Sequence, residues 1–158
     1  MPEPQPYLRE QLLQVLLADQ QLSDIVSTRA FIDRVPQGQP LPALVLFELS
    51  SEPYASLAGE IDLSRSFLQV DVWADGANGR LLAKRAAIRL RTKLCGSTLT
   101  ADAPYRGYLS EGGIWLESAK CTRDQLLGEK PTDGSDNYIF RASLDFRLLH
   151  TDVSVSEV

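Results

Sequence analysis

Apolar residues recur at Leu8, Leu12 and Leu16, at Leu13 and Leu17, and again at Leu22, Ile25 and Val26, the three-to-four spacing that gathers side chains on one side of a helix. The pattern predicts a helix from Tyr7 to Val26 that breaks near Asp19. Ahead of it, MPEPQP has three prolines in six positions and reads as a flexible arm over residues 1–6. A short extended piece, Ala30 to Val35, then meets Pro36, Pro40 and Pro42, which forbid helix and central strand alike. Ala43 to Leu49 is nearly all apolar, as a strand buried on both faces would be. Ser64 to Ala74 alternates instead, with Leu68, Val70 and Val72 on one face and Phe67, Gln69, Asp71 and Trp73 on the other. The two strands are expected to pair as a hairpin. Ser50 to Ser64 between them reads as a long loop, a type of connection that tends to carry function.

Asp75-Gly76-Ala77-Asn78-Gly79 supplies turn glycines and a capping Asn or Asp before a second helix, Arg80 to Leu94. Ala83, Ala87, Leu90 and Leu94 make its core stripe, since small alanines let a helix lie close on a sheet. Leu81 and Ile88, seven apart, fall on nearly the opposite side beside Lys84 and Arg85. A second apolar line on a surface helix asks for a cover. Gly96 to Gly113 has loop composition, and Ile114 to Arg123 is strand-like. Asp124 to Asn137 reads as an exposed acidic loop. Tyr138 to His150 alternates most cleanly of all and predicts a long strand with one buried face, after which residues 151–158 trail off as a flexible tail. The expected fold is a single α+β domain spanning 1–158, with a mostly antiparallel sheet of about four to five strands and two main helices packed on it.

Composition narrows the classes. With 44% hydrophobic and 23% charged residues in a chain of 158, the protein is globular rather than disordered. Its longest apolar run, Ala43 to Phe47, falls far short of the ~20 residues of a membrane-spanning helix. The first ten residues lack a basic start and an apolar signal core, so the chain is expected to stay where it is made and Cys95 and Cys121 to stay reduced. The net charge of −5 has the wrong sign for a protein that grips nucleic acid over its whole surface. Six of the 16 cations lie between Arg80 and Lys93 with no acid among them, so the other ten face all 21 acids, a net of −11. One basic segment sits in an acidic remainder.

Candidate chemistry is sparse. The one histidine, His150, ends the last strand and reads as a frayed surface residue rather than a catalytic base. One His and two distant Cys cannot make a zinc site. Asp71 and Asp145 suit two solvated strand residues better than an acid/base pair. Asp75 to Arg80 has the position of an anion site but neither a phosphate-loop nor a dinucleotide fingerprint, which leaves a capped turn. Trp73 and Trp115 fit core or interface aromatics better than base-stacking platforms. The basic helix is either a solvated face or a partner site. No catalytic, cofactor-binding or metal residue is assigned, and no enzyme is expected.

PQGQPLPALVLFELSSEP, then SRSFLQVDVWADGANGRLLAKRAAIRLRTKL, then YRGYLSEGG, and finally NYIFRASLDFRLLH, follow one another in an order that resembles the tail-completion, or tail-terminator, proteins joining head to tail in long-tailed bacteriophages. The resemblance implies a homo-hexameric ring that caps the tail tube protein and offers its other face to a head connector or stopper protein. It implies a place at the head-proximal end of the virion tail, host cytoplasm before assembly, genome DNA passing through without specific binding, and no membrane. On such a ring, Leu81, Lys84, Arg85, Ile88 and Arg89 are the expected subunit interface. Glu52, Tyr54, Leu57 and Glu60 are expected on a loop touching tube or neighbour. Asp124, Glu129, Asp133 and Asp136 are the candidate channel residues. Two other readings stay open: a small-molecule-binding or enzymatic α+β domain, which would show a deep apolar pocket with converging polar groups, and another neck protein such as a stopper.

Overall fold

The computed structural model describes residues 7–56, 59–111, 113–129 and 138–151, and their side chains except at 54–62 and 129. The N-terminal helical pattern forms α1 (Leu8–Ala18) and α2 (Gln20–Val26). They part where the sequence predicts, at Asp19, whose backbone is extended (φ −75°, ψ 118°) and whose carboxylate accepts a hydrogen bond from the Leu22 amide at 3.1 Å. That bond satisfies one of the free N–H groups at the start of a helix. The remaining elements are β1 (Ala30–Ile32), β2 (Ala43–Ser56), β3 (Gly59–Asp75), α3 (Gly79–Cys95), β4 (Gly107–Tyr108), β5 (Trp115–Glu129) and β6 (Ile139–Thr151).

The fold is α+β, but the strands form one six-stranded mixed sheet in the order β1-β2-β3-β6-β5-β4, not four or five antiparallel ones. β1 runs parallel to β2 and pairs Ala30 with Leu44; the other pairings are antiparallel. β1 falls within the extended piece expected from Ala30 to Val35 and stops at Ile32, whereas β4, two residues long, is too short to show a period. The helices lie on one sheet face, α1 against β1 and β2, and α3 across β3, β6 and β5. Between the layers Leu68, Val70 and Val72 meet Leu144, Phe146 and the α3 stripe, all essentially inaccessible to solvent. Gln11 of α1 is buried with them, its Oε1 accepting from the Ile114 amide at 2.9 Å and the Ser110 hydroxyl at 3.0 Å. It fastens α1 to the start of β5.

Four further expectations are corrected. Ser50 to Ser56 and Gly59 to Ser64 are strand, not loop. β2 and β3 stay paired from Ala43 opposite Trp73 out to Ser56 opposite Gly59, with irregularities at Glu48/Ser50 and Pro53/Ala55. The backbone ladder supplies this pairing without an apolar pattern, and Pro53 is tolerated because β1 covers only Leu44 to Leu46, leaving that edge of β2 open. Burial of β2 on both faces likewise holds only for Ala43 to Leu46; Glu48 and Leu49 are exposed. Nor does an acidic loop begin at Asp124, since β5 continues to Glu129, opposite Ile139. Finally, His150 is buried rather than frayed, because β6 continues through Thr151 and stays paired with Leu63 of β3.

Candidate interaction surface

Helix α3 is built from Ala, Leu, Lys and Arg, all good helix formers. It starts from a turn at Gly76 (φ +81°) and ends at Gly96 (φ +76°), whose backbone a side chain would not readily adopt. Asn78 is the N-cap residue but makes no side-chain cap bond; the turn closes instead through the Gly79 amide and the Gly76 carbonyl, 3.1 Å apart. Gly79 has to be small. A Cβ there would sit 3.1 Å from the Phe140 ring and 3.2 Å from the Ala74 backbone, so the helix begins pressed onto the sheet.

The six cations of this segment divide by direction. Arg89 points inward and grips Asp19 through two bonds, Nη2 to Oδ1 at 2.6 Å and Nε to Oδ2 at 2.9 Å. The Arg89 hydrogen bond holds the Asp19 carboxyl below the usual carboxylate range despite burial, and the partner raises Arg89 in turn. Arg91 pairs with Asp124 at 3.0 Å, and Lys93 lies over the Tyr105 ring at 5.7 Å. Arg80, Lys84 and Arg85 point outward and are exposed, and among the described residues none has a carboxylate within 4 Å. Between them Leu81 and Ile88 are 50% and 53% exposed. Leu99, just beyond the helix, is 97% exposed and joins Ile88 in lining one surface hollow.

The structure therefore brings Leu81, Lys84, Arg85 and Ile88 together on one outer face, and removes Arg89 from it. Arg89 faces an acid of its own chain because α2 packs beside α3, a contact that the helix pattern does not contain. Asp124 is likewise half-buried against Arg91, so it is not a free wall charge. Glu52 is exposed, 4.0 Å from Arg65. Tyr54 and Glu60 lie on the paired strands β2 and β3, and Glu129 ends β5, with side chains outside those described; Leu57, Asp133 and Asp136 lie outside the described residues. Leu99 was missed, being one apolar residue in a polar loop with no period around it.

The other candidates are engaged within the fold. The Thr151 carbonyl, 2.7 Å from His150 Nδ1, can only accept, so Nδ1 carries a proton, and Nε2 lies 2.7 Å from the Ser66 hydroxyl. Ser66 is fully buried, and no substrate reaches this pair. Asp71 is buried, not solvated; it accepts from Gln69 at 3.0 Å, while Arg123 binds Asp145 at 2.9 Å. Arg141 lies over Trp73, and Trp115 packs edge-on to Tyr108 while donating to Glu117 at 3.0 Å. Burial pushes both half-buried thiols, Cys95 and Cys121, up. A hollow of about 570 Å³ between α2, α3 and the turn at Thr100 is lined by Ile25, Ile88, Arg85 and Asp24. Among the described residues no group of three His, Cys, Asp or Glu could hold a metal ion, and no helix is long and apolar enough to cross a membrane.

Comparison with known proteins adds a family and a fold. The family model described as tail completion protein gp17 matches residues 10–151. A chain of the virion of a native gene transfer agent particle aligns with a TM-score of 0.54 at 20% identity, covering 90% of this chain and 95% of that one; at that identity the likeness is one of fold. A second solved chain aligns with a TM-score of 0.41 at 17% identity, over 89% of this chain and 96% of that one. No curated protein matches the chain.

Proposed function

Because the chain belongs to the gp17 family of tail completion proteins, we propose that it acts as a virion structural component that closes the tail as a homo-hexameric ring. In this reading one ring face caps the tube and the other seats a head connector or stopper, with DNA passing through unrecognised. The observation that carries the reading is the outer face of α3. Leu81, Ile88 and Leu99 leave apolar surface in water, and Arg80, Lys84 and Arg85 stand beside it with no carboxylate within 4 Å among the described residues. Contiguous apolar surface rimmed by charge marks a protein contact, and closed symmetry is the usual form of self-association. Opposite charges across such a contact would set register and partner choice more than strength.

Electron microscopy of the purified protein, alone and mixed with tail tubes, tests this. Sixfold rings seated on tube ends are expected. Rings bound to heads but not tubes would assign it to another neck position, and a monomer that ignores both would overturn the reading.

A further inference from the structure

Cys95 ends α3, and Cys121 stands on β5 opposite Phe146, packed with Cys95 against the same core. Because α3 lies across β5, the two meet. The Cys95 sulfur takes a hydrogen bond from the Cys121 backbone amide, so one sulfur rests against the residue that carries the other. Both line a single surface hollow of about 500 Å³, together with Ile88, Leu99 and Arg91. Both thiols are free and half-buried. Cys121 donates to the Arg123 carbonyl at 3.3 Å, a weak bond for a thiol and easily given up. Among the described residues no third His, Cys, Asp or Glu completes a metal-binding group with them.

Burial raises both thiols above their ordinary range, while Arg91 on the same hollow works against it at each. Either thiol alone therefore reacts slowly at neutral pH, since the thiolate is the nucleophile. The second step is different. Once one sulfur carries a mixed disulfide, its neighbour attacks from within the fold, where both groups are already held together. With a small-molecule disulfide as oxidant, the first cysteine thiolate displaces one small thiol and the second displaces the other. Two protein thiols and one small disulfide become one protein disulfide and two small thiols, and both protons leave on the released thiols.

We infer that Cys95 and Cys121 join as an internal disulfide once the chain leaves a reducing compartment. The occasion rests on the virion reading above, since a particle passes from a cytosol that keeps thiols reduced to an oxidising medium; the bond itself does not. It closes Gly96 to Lys120 into a loop and fixes the end of α3 to β5, beside Ile88 and Leu99 of the outer face.

The purified chain is incubated with oxidised glutathione and compared with chain held in dithiothreitol. After unfolding, the reduced sample should show two free thiols and the oxidised one none. Its mass should fall by two hydrogens, with no glutathione attached and no link between copies on a non-reducing gel. Closing the loop should raise the melting temperature by roughly 5–10 °C, and Cys95→Ser or Cys121→Ser should abolish that rise. Two free thiols after oxidation, glutathione on both cysteines, or a bridge between copies would overturn the disulfide. Alkylation of infected cells before they are opened, and of purified particles, tests the occasion. Alkylated thiols in the cells and the bridge in the particles are expected, and free thiols in both would overturn it. Particles that lack the chain would overturn the virion reading and leave the bond, measured on the purified chain, standing.

Discussion

At the scale of single residues, Asp19 connects the most structure. Its backbone N–H ends α1 on the Leu16 carbonyl, while its carboxylate caps α2 and binds Arg89 of α3 by two bonds. Replacing it with alanine removes a cap, worth about 1 kcal/mol, and leaves Arg89 largely buried without its partner. The expected loss is on the order of 2–3 kcal/mol in urea unfolding at pH 7. The pH dependence follows from the sign of the shift. The folded-state pKa of Asp19 lies below its unfolded value near 4, so its stabilisation is fully present above that value. It fades as pH falls through the lower folded value. The gap between wild type and Asp19→Ala should therefore be constant from pH 5 to 8 and narrow below pH 4. A gap unchanged at pH 3 would mean that the carboxylate charge contributes nothing. Arg89, raised from an already high value, loses its contribution only at strongly alkaline pH.

At the scale of elements, α3 has two faces with separate tasks, and substitution should separate them. Leu90→Ala opens a fully buried position and should cost about 2–5 kcal/mol. Leu81→Asp with Ile88→Asp touches half-exposed positions; it should change stability by only about 0.5 kcal/mol per site while abolishing rings. Normal assembly with an unchanged melting temperature would remove this face from the interface. The end of the β2–β3 hairpin makes the parallel case. Replacing residues 54–62 with a two-residue Asn-Gly turn keeps every β3–β6 pair, so the monomer should stay folded by circular dichroism and fail to cap tubes. Tails of normal length made with the shortened chain would show that the hairpin end does no assembly work.

At the scale of the whole molecule, charge sets an expectation for the channel. Six copies of a chain with net −5 give a ring of roughly −30, and consuming the outward cations of α3 between subunits leaves the exposed walls more acidic still. An acidic or neutral channel lets DNA slide, because a basic one would bind phosphates along its length. A ring structure with Arg85 or Lys84 lining the channel would contradict both the helix assignment and the sliding argument. Asp124, neutralised by Arg91, contributes little to such a wall, which leaves Glu129, Asp133 and Asp136 as the channel candidates named from the sequence.

Sequence alone determined what depends on local period and backbone restriction. Leu12 and Leu16 on α1, the Asp19 break, the Ala83 and Leu90 stripe and the alternation from Ala142 to Leu148 were all legible, because a helix or strand with one buried face must repeat at its own geometric period. The exposed side of α3 was legible for the same reason, since Leu81 and Ile88 lie opposite a stripe that has to be buried. Tertiary structure decided whatever depends on which elements become neighbours. Arg85 and Arg89 look alike along the helix, yet only Arg89 meets an acid, because α2 packs on its side. His150 is enclosed because β3 and β5 flank the end of β6, and the polar stretch beyond Leu49 becomes a strand because its backbone finds a partner in β3. Those outcomes are set by contacts between residues far apart in the chain, and a side chain's own local pattern carries no record of them.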